Sequence, residues 1–490
     1  MDDADRDGRG TLAPGVGQAM LRARTVQAGW GTLSPATRVR PLDQLRHRIA
    51  ADADALVDDL ATRPGRRPAE SLAAEILPLA DACRFLTREA PSLLRPRRLG
   101  HRGRPVWLFG VEAEVRRDPF GVVLILAPSN YPLLLPGVQA VQALAAGNAV
   151  LVKPAPGCTA PMERLADWLA DAGVPDGLFQ VLGETLAHAE AALDAGPDLV
   201  VLTGSAETGR RVQERLAPRL IPSIMELSGS DAVFVLPGAD LDLVTRALAF
   251  GLRFNGSATC IAPRRVFVPQ DLAAGLEWRL AERLTALPTV PVPLPVRHRV
   301  ARLAADAIAA GARAIGPLPS PETPMAPLAL AAARPDMALL SEDLFAPVVA
   351  LVAVEDMEEA LTQAARCPYA LGASVFGPEG AARALAARME AGSVTINDLI
   401  APTADPRLPF GGRRRSGWGV TRGAEGLLEM TRVKTVSRRR RGPHPHFDDP
   451  DPGDEALLRG LLGAAHGAGA ERRAAWTELA RAVWERARRR

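Results

Sequence analysis

The feature that most constrains the fold is a repeated alternation between apolar segments and helix-like segments within residues 121–235. Residues 121–132 form an apolar run that turn residues end, and a helical segment at 135–146 leads to a second apolar run at 149–154. Further apolar runs follow at 178–182, 199–205 and 232–235. Continuous apolar runs are typical of buried parallel strands, and their alternation with helices favours an α/β fold with a doubly wound sheet.

Three polar residues lie at the ends of these predicted strands: Asn130, Lys153 and Ser205. Ligands of doubly wound sheets bind at the carboxyl ends of the strands, so these residues are candidates for a binding site. Only two of the 59 basic residues are lysines, Lys153 and Lys434. A lysine retained among so many arginines indicates a position that needs a compact ammonium group, although chance retention is a fair interpretation of Lys434.

A second pair of residues, Glu226 and Cys260, carries potential chemistry. Glu226 follows an apolar run, where a carboxylate can have a raised pKa and act as a general base near neutral pH. Cys260 follows the small residues 256–258, which leave a reacting carbonyl room to approach the sulfur. A lone cysteine is more often a buried, inert residue, so the functional interpretation depends on the motif around it.

These motifs resemble those of the aldehyde dehydrogenase superfamily. Residues 226–229, Glu-Leu-Ser-Gly, are similar to its Glu-Leu-Gly-Gly motif, and residues 255–260, Asn-Gly-Ser-Ala-Thr-Cys, are similar to its Asn-x-Gly-Gln-x-Cys motif. The resemblance extends over residues 23–437, and the motif spelling is closest to the class 3, fatty and coniferyl aldehyde branch. It implies an α/β fold with a Rossmann-like cofactor domain, an α/β catalytic domain and a β-strand oligomerisation arm.

The resemblance also predicts the domain boundaries. The cofactor-binding domain is expected at 16–100 and 119–228, the arm at 101–118 and 431–441, and the catalytic domain at 229–430. Residues 101–117 alternate in part and indicate exposed strands, for which a solvated surface hairpin is the alternative. Residues 1–15 are expected to be disordered, and 442–490 to form a linker and a helical tail. The tail's stripe of Trp476, Leu479, Val483 and Trp484 is expected to pack on its own protein.

By resemblance, Cys260 attacks the aldehyde carbon and forms a thiohemiacetal, which NAD(P) oxidises to a thioester. Asn130 supplies an oxyanion donor, and Glu226 activates the water that hydrolyses the thioester. Relatives that acylate coenzyme A generally lack this glutamate, so its presence favours a free carboxylic acid as the product. A coenzyme-A-dependent acylating enzyme or reductase and a catalytically inactive binding protein are the alternatives.

The resemblance assigns the cofactor to a groove at the strand ends. Its expected contacts are Lys153, Pro128, Gly204, Ser205, Gly209, Leu227, Asp343 and Phe345. Lys153 is expected to hold the adenosine ribose, the segment 204–209 the pyrophosphate, and Asp343 the nicotinamide ribose. Pro156 stands where the family often has a glutamate that selects NAD, so the cofactor is expected to be NAD or NADP.

A substrate tunnel is expected beside the sulfur, lined by Tyr131, Leu134, Val138 and Phe410. Plain core packing is the alternative interpretation for each of these residues. Because all four are apolar or aromatic, the sequence predicts an uncharged aliphatic or aromatic aldehyde as the substrate.

The composition excludes several other classes of protein. The 490 residues are 47% apolar and 23% charged, and the net charge of +3 is too balanced for a dedicated nucleic-acid binder. No apolar run reaches the roughly 18 residues of a membrane span, and the polar start has no signal-peptide pattern. Four widely spaced cysteines suggest neither a disulfide framework nor a metal site. This cysteine usage fits a reducing cytoplasm, and the family resemblance implies a homodimer or homotetramer that takes a small aldehyde.

Overall fold

The computed structural model of this protein describes residues 15–61, 66–320, 323–439 and 444–489. Nearly all of the predicted disordered segment 1–15, and residues 440–443 of the predicted arm and linker, lie outside these ranges. The chain forms two compact units, one of residues 1–97 and 115–434, and one of residues 98–114 and 435–490. No helix of the described residues is long and apolar enough to cross a membrane.

The helices of the described residues are numbered in chain order. They are α1 Val16–Thr32, α2 Pro35–Arg38, α3 Arg40–Ala51, α4 Ala53–Leu60, α5 Pro68–Ser71, α6 Leu77–Leu93, α7 Leu134–Ala146, α8 Ala160–Asp171, α9 Leu186–Asp194, α10 Ala206–Leu216, α11 Leu241–Arg253, α12 Gln270–Thr285, α13 Leu294–Ala309, α14 Met357–Ala364, α15 Glu379–Ala386, α16 Gly423–Glu429, α17 Asp454–His466 and α18 Gly469–Arg489.

The strands are numbered in the same way. They are β1 Arg97–Leu99, β2 Val111–Pro119, β3 Val122–Leu126, β4 Ala149–Lys153, β5 Phe179–Val181, β6 Leu199–Gly204, β7 Ser223–Leu227, β8 Asp231–Val235, β9 Pro263–Pro269, β10 Arg313–Ile315, β11 Leu328–Ala331, β12 Val348–Val354, β13 Tyr369–Ala370, β14 Gly372–Phe376, β15 Ser393–Ile396, β16 Arg413–Arg414, β17 Gly417–Trp418 and β18 Thr431–Arg439.

A six-stranded sheet in the order β17-β7-β6-β3-β4-β5 forms the first half of the larger unit. Strands β3 to β7 pair in parallel, and only β17 is antiparallel. All five residues of β3 are buried, as expected for a parallel strand covered by helices on both faces. The apolar runs of the sequence therefore became strands because only a two-sided core can bury them.

A seven-stranded sheet in the order β10-β11-β12-β9-β8-β14-β15 forms the second half. The segment 232–235 belongs to this sheet as part of β8, so the prediction that it continues the first alternation is wrong. The first sheet is instead extended by β7, which ends one residue after Glu226. Both segments are buried and apolar, and periodicity does not say which sheet a buried strand joins.

The helical start of the chain supports the first sheet through one buried carboxylate. Helices α5 and α6 are joined by a π-helical turn at Leu72–Ile76. Glu75, in this turn, accepts hydrogen bonds from the backbone N–H groups of Leu133 at 2.7 Å and Leu134 at 2.9 Å. Glu75 also forms an ion pair with Arg66. The carboxylate thus satisfies N–H groups at the start of α7, a helix that is buried along its whole length.

The segment predicted as exposed strands at 101–117 is a strand only in part. Residues 106–108 form a 3₁₀ turn, and β2 begins at Val111. Pro105 lacks an N–H for strand pairing, and Gly103 and Gly110 adopt left-handed φ angles of 77° and 81°, which end any regular strand before β2. Strands β1, β2 and β18 form a three-stranded sheet.

The tail forms the expected helices, α17 and α18, which pack against each other. Leu479 lies close to Gly460, where an added Cβ would come within 2.8 Å of the Leu479 backbone. Trp476, Val483 and Trp484, however, are 52%, 51% and 55% exposed, so the prediction that the whole stripe is packed is wrong. A two-helix hairpin has one inner face, and the stripe is wider than that face.

Candidate active site

The thiol of Cys260 and the carboxylate of Glu226 face each other. Glu226 lies near the end of β7, Cys260 lies in the loop that joins α11 to β9, and Cys260 Sγ is 3.9 Å from Glu226 Oε1. Burial raises the pKa of Glu226 to about 7, while the charge of Arg422 and the hydrogen bond from Cys260 act in the opposite direction. Burial also raises the pKa of the Cys260 thiol, and the Glu226 charge adds to this effect.

The loop before Cys260 is tied to the turn that carries Asn130. The Asn130 side-chain Nδ2 donates to the carbonyl of Ala258 at 3.1 Å, and Asn255 Nδ2 donates to the carbonyl of Asn130 at 3.0 Å. Asn255, Gly256 and Ser257 have left-handed φ angles of 51°, 62° and 57°. Two of these are non-glycine residues in a costly conformation, which persists only where surrounding contacts fix it. The structure therefore brings Asn130 to the residues that precede the thiol.

Tyr131 reaches the same loop from the neighbouring position. Its hydroxyl lies 2.6 Å from the hydroxyl oxygen of Thr259, the residue before Cys260. Burial raises the pKa of the Tyr131 phenol, so it stays protonated and can take part in this hydrogen bond as a neutral group.

An apolar pocket of about 250 Å³ ends at the thiol. Three of the predicted tunnel residues line it, namely Tyr131, Leu134 and Phe410. The structure does not bring Val138 to this pocket, because that residue lies one turn further along α7 and is buried in the core of the first sheet. The sequence did not indicate several other lining residues: Leu135, Phe250, Phe254, Ile261 and Ile400. Ile400 is distant in sequence from the predicted site residues, and the other four are close to Leu134 or Cys260, but nothing in the local pattern distinguishes a lining residue from a core residue.

Arg422 is the one charged side chain among the residues that line this pocket in the described part of the chain. It is 8% exposed and precedes α16. Sequence reasoning missed it because the chain has 59 basic residues, and nothing in the local pattern separates a buried arginine from a solvated one.

A second pocket, of about 320 Å³, reaches the thiol from the groove at the ends of the strands of the first sheet. Six of the predicted cofactor contacts line it: Pro128, Gly204, Ser205, Leu227, Asp343 and Phe345. Asn130, Glu226 and Cys260 line it too. Cys260 is thus shared by the apolar pocket and the groove, where a substrate from one side would meet a cofactor from the other.

The groove fits the phosphates of a dinucleotide. Ser205 caps α10, because its hydroxyl accepts the backbone N–H of Thr208 at 3.1 Å, and the start of this helix faces the strand ends. Helix N-termini attract anions through their unpaired N–H groups. Gly209 does not line the pocket, but a Cβ there would lie 2.7 Å from Leu227 Cδ1. The glycine therefore lets α10 approach the strand that carries the groove residue Leu227.

Lys153 lies at the end of β4 and is half-buried, outside the lining of the second pocket. Burial lowers the pKa of Lys153, and the Glu184 carboxylate acts in the opposite direction. Glu184 itself accepts hydrogen bonds from the backbone N–H of Gly157 at 2.8 Å and from the Thr159 hydroxyl at 3.0 Å. A carboxylate from the loop after β5 therefore lies near the lysine, close to the place where Pro156 replaces the family's glutamate.

Comparisons with known proteins agree with this architecture. A sequence model described as the aldehyde dehydrogenase family matches residues 12–436. This chain belongs to the aldehyde dehydrogenase family. It is 32% identical over 427 residues to the 4,4'-diapolycopene aldehyde oxidase of Methylomonas sp, covering 85% of this chain and 80% of the relative. It is 34% identical over 406 residues to succinate-semialdehyde dehydrogenase [NADP(+)] 1 of Mycobacterium ulcerans, covering 79% and 87%.

A solved structure of similar fold agrees with this family assignment. A Mycobacterium tuberculosis aldehyde dehydrogenase complexed with NAD+ superimposes with a TM-score of 0.80 at 26% identity, covering 86% of this chain and 89% of that one. The predicted fold class is thereby confirmed, as is the prediction of an oxidoreductase that acts on aldehydes with NAD or NADP.

Two buried arginines hold the active-site loops of this aldehyde dehydrogenase. Arg264 Nη2 donates to the carbonyl of Ser257 at 2.7 Å, and its Nη1 donates to the Ser257 hydroxyl at 3.0 Å. Arg265 Nε donates to the carbonyl of Ser230 at 2.9 Å. Both arginines lie in β9, whose residues are all buried. The two adjacent arginines at the start of an apolar strand were a signal in the sequence that these side chains bind specific groups. A buried guanidinium needs hydrogen-bond acceptors.

The departures from the family motifs have structural consequences in this aldehyde dehydrogenase. The Ser228 hydroxyl, where the family has glycine, donates to the carboxylate of Asp343. Burial raises the pKa of Asp343, and this hydrogen bond opposes the shift. The serine that departs from the family motif thus interacts with an acidic residue of the groove.

Proposed function

We propose that this aldehyde dehydrogenase oxidises an apolar aldehyde to the free carboxylic acid, with Cys260 as the nucleophile. The observation that carries the proposal is the position of Cys260, which lines both the apolar pocket and the groove at the strand ends. A single sulfur at the junction of two pockets can bond to a substrate in one while a cofactor occupies the other.

In the first step the Cys260 thiolate attacks the aldehyde carbon, so a C–S bond forms and the carbonyl π electrons move to oxygen. The resulting oxyanion needs hydrogen-bond donors close to the sulfur. Asn130 is 4% exposed and fixed to the loop before Cys260, so its amide is suited to this task. Loss of one such donor typically costs about 3 kcal/mol of transition-state stabilisation.

A nicotinamide coenzyme, when bound in the groove, supplies the two-electron acceptor that turns the thiohemiacetal into a thioester. The start of α10 with Gly204 and Ser205 would hold its pyrophosphate, Asp343 a ribose, and Phe345 would pack against it. Lys153 would hold the adenosine ribose, and Pro128 and Leu227 would form the walls of the groove. Gly209 would act indirectly, by allowing α10 to approach Leu227.

In the last step Glu226 takes a proton from water, hydroxide attacks the thioester carbon, and the C–S bond breaks to return the Cys260 thiolate. A base with a pKa of about 7 has a large ionised fraction near neutral pH and still binds a proton strongly enough to abstract it. The 3.9 Å separation of Glu226 Oε1 from the sulfur suits a carboxylate that serves the sulfur-bound carbon through one water.

We further propose that Glu184 makes the enzyme prefer NAD. Its carboxylate lies near Lys153 and is anchored by Gly157 and Thr159, so it would bind a ribose hydroxyl and repel the 2′-phosphate of NADP. It would thereby take the role of the glutamate that Pro156 replaces.

We also propose that the predicted domain boundaries hold and that residues 101–118 and 431–441, which contain most of β2 and all of β18, act as an oligomerisation arm. In this region Val106, Trp107 and Phe109 are 70%, 65% and 79% exposed, which is unusual for large apolar side chains at a free surface. A homodimer or homotetramer would cover them, and light scattering after size-exclusion chromatography measures the assembly directly. The reducing cytoplasm, our proposed compartment, would keep Cys260 as a thiol.

The experiment that tests the main proposal is an aldehyde panel read by the absorbance of reduced nicotinamide, with and without coenzyme A. Neutral aliphatic and aromatic aldehydes are expected to have higher kcat/KM than aldehydes of equal length that end in a carboxylate. Cys260→Ala is expected to abolish turnover of every substrate. Normal turnover by that variant would refute the nucleophile, and an acyl-coenzyme A product would refute hydrolysis.

A further inference from the structure

The guanidinium of Arg422 is buried at the candidate active site, and no carboxylate of the described residues is in contact with it. Its Nη1 donates to the carbonyl of Thr403, and its Cζ lies 4.8 Å from the centre of the Phe410 ring. Its Nε is buried and has no hydrogen-bond partner among the residues that the structure describes. In the described part of the chain, no carboxylate lies within ion-pair distance of Arg422. Burial of a charge in this state is costly unless the charge has a use.

The backbone of Arg422 adds a second cost. Its φ of 63° and ψ of 171° fall in a region that is almost restricted to glycine, where other residues carry roughly 1–3 kcal/mol of strain. Two contacts over-determine this conformation: the backbone N–H donates to Gln142 Oε1 at 3.2 Å, and the side chain is fixed by Thr403. Strain and an unpaired charge at the same residue, in the pocket that contains the thiol, indicate a functional reason for both.

The charges around Cys260 suggest what that function is. Glu226, Asp231 and Asp343 raise the pKa of the thiol after burial has raised it already, and the charge of Arg422 lowers it. Arg264 is a second buried cation near the sulfur, because the charge of Cys260 raises the pKa of Arg264, but this arginine is bonded to Ser257 and lines neither pocket. Tyr131 also faces the sulfur, but its phenol is neutral and bonded to Thr259. The same guanidinium lowers the pKa of Glu226. Arg422 therefore favours the ionised form of both reacting groups, which otherwise oppose each other.

We propose that Arg422 is a positioning residue that stabilises the negatively charged pair of Cys260 and Glu226, so that the sulfur can be a thiolate beside a carboxylate. The inference rests on the proposed role of Cys260 as the nucleophile. The guanidinium supplies a fixed positive charge in a pocket that is otherwise apolar, where a charge acts more strongly than it would in water. Because Arg422 lines the apolar pocket, a substrate bound in that pocket would lie beside this charge.

The test is the pH dependence of Cys260 alkylation by iodoacetamide, measured without substrate or cofactor. This reagent is neutral and reacts with the thiolate, so the rate reports the ionised fraction of the sulfur. In Arg422→Met the alkylation pKa is expected to rise by about one unit, so the rate below that pKa falls about tenfold. Arg422→Lys, which keeps the charge, is expected to retain most of the wild-type rate. Arg413→Met changes an exposed arginine that lines neither pocket and is the matched control.

Each outcome decides the question. An unchanged alkylation profile in Arg422→Met would overturn the proposal, and a selective loss of turnover for carboxylate-bearing aldehydes would then make Arg422 a substrate anchor. If the Met variant does not fold, Arg422→Gln replaces it, because glutamine can still hydrogen-bond to the Thr403 carbonyl without a charge. A wild-type Cys260 that resists alkylation altogether would refute the proposed nucleophile as well, whereas a normal wild-type profile with no mutant shift refutes the Arg422 role alone.

Discussion

Replacement of Glu226 by glutamine should separate two consequences of burying this carboxylate. Glutamine has nearly the same shape, but it cannot ionise and cannot take a proton from water. The variant is therefore expected to form the thioester on Cys260 and to release it slowly. It is also expected to change how the stability of the enzyme depends on pH.

The size of the pH-dependent change in the free energy of unfolding follows from the pKa of Glu226. Burial raises this pKa from 4.5 in the unfolded chain to about 7 in the folded enzyme. A raised carboxylate pKa means that the folded state holds the proton more tightly than the unfolded chain does. The contribution of Glu226 to the free energy of unfolding is therefore fully present below pH 4.5 and is lost as the pH rises towards 7. A shift of this size corresponds to about 3 kcal/mol at 1.36 kcal/mol per pKa unit. The Glu226→Gln variant has no ionisable group at this position, so its free energy of unfolding should not fall for this reason as the pH rises.

The assay is thermal unfolding of wild type and variant from pH 4 to pH 8, followed by circular dichroism. The variant should gain stability relative to the wild type by about 3 kcal/mol across this range, because other titrating groups cancel in the difference. Glu282→Gln, at an exposed glutamate, is the matched control and should give a curve parallel to the wild type. Mass spectrometry of the variant after mixing with aldehyde and cofactor should show Cys260 carrying the acyl group. A stability difference that does not vary with pH would refute the reasoning about burial, and rapid release of the acyl group would refute the general base.

Two further predictions concern the other groups of the site. Asn130→Ala should lower kcat about 10²–10³-fold while cofactor binding, measured by calorimetry, stays within twofold, because an oxyanion donor acts only in the transition state; unchanged kcat would remove Asn130 from the mechanism. Glu184→Gln should raise the affinity for NADP relative to NAD about tenfold, equal to about 1.4 kcal/mol, because the carboxylate that repels the 2′-phosphate becomes neutral. Calorimetric titration with both cofactors measures the ratio, and a ratio equal to that of the wild type would exclude Glu184 from the choice of cofactor.

The sequence by itself indicated those features of the protein that depend on contiguous residues. The apolar runs at 122–126, 149–153 and 199–204 became strands because a fully apolar segment of that length must be covered on both faces. The motifs around Glu226 and Cys260 indicated the two groups for which we propose a chemical role, because small residues before a thiol and an apolar run before a carboxylate are contiguous features. The resemblance to the family could also be found from such contiguous motifs.

Only the tertiary structure decided which distant residues meet. Segment 232–235 and segment 223–227 are similar buried runs, and pairing with different neighbours sent them to different sheets. Leu134 and Val138 lie one turn apart on the same face of α7 and are both buried in the core, but only Leu134 also lines the pocket. Arg422 is one of 57 arginines in the sequence, and its charge matters because folding removes it from water beside Cys260. Periodicity specifies how a segment is covered, whereas the partners that cover it depend on contacts between segments hundreds of residues apart.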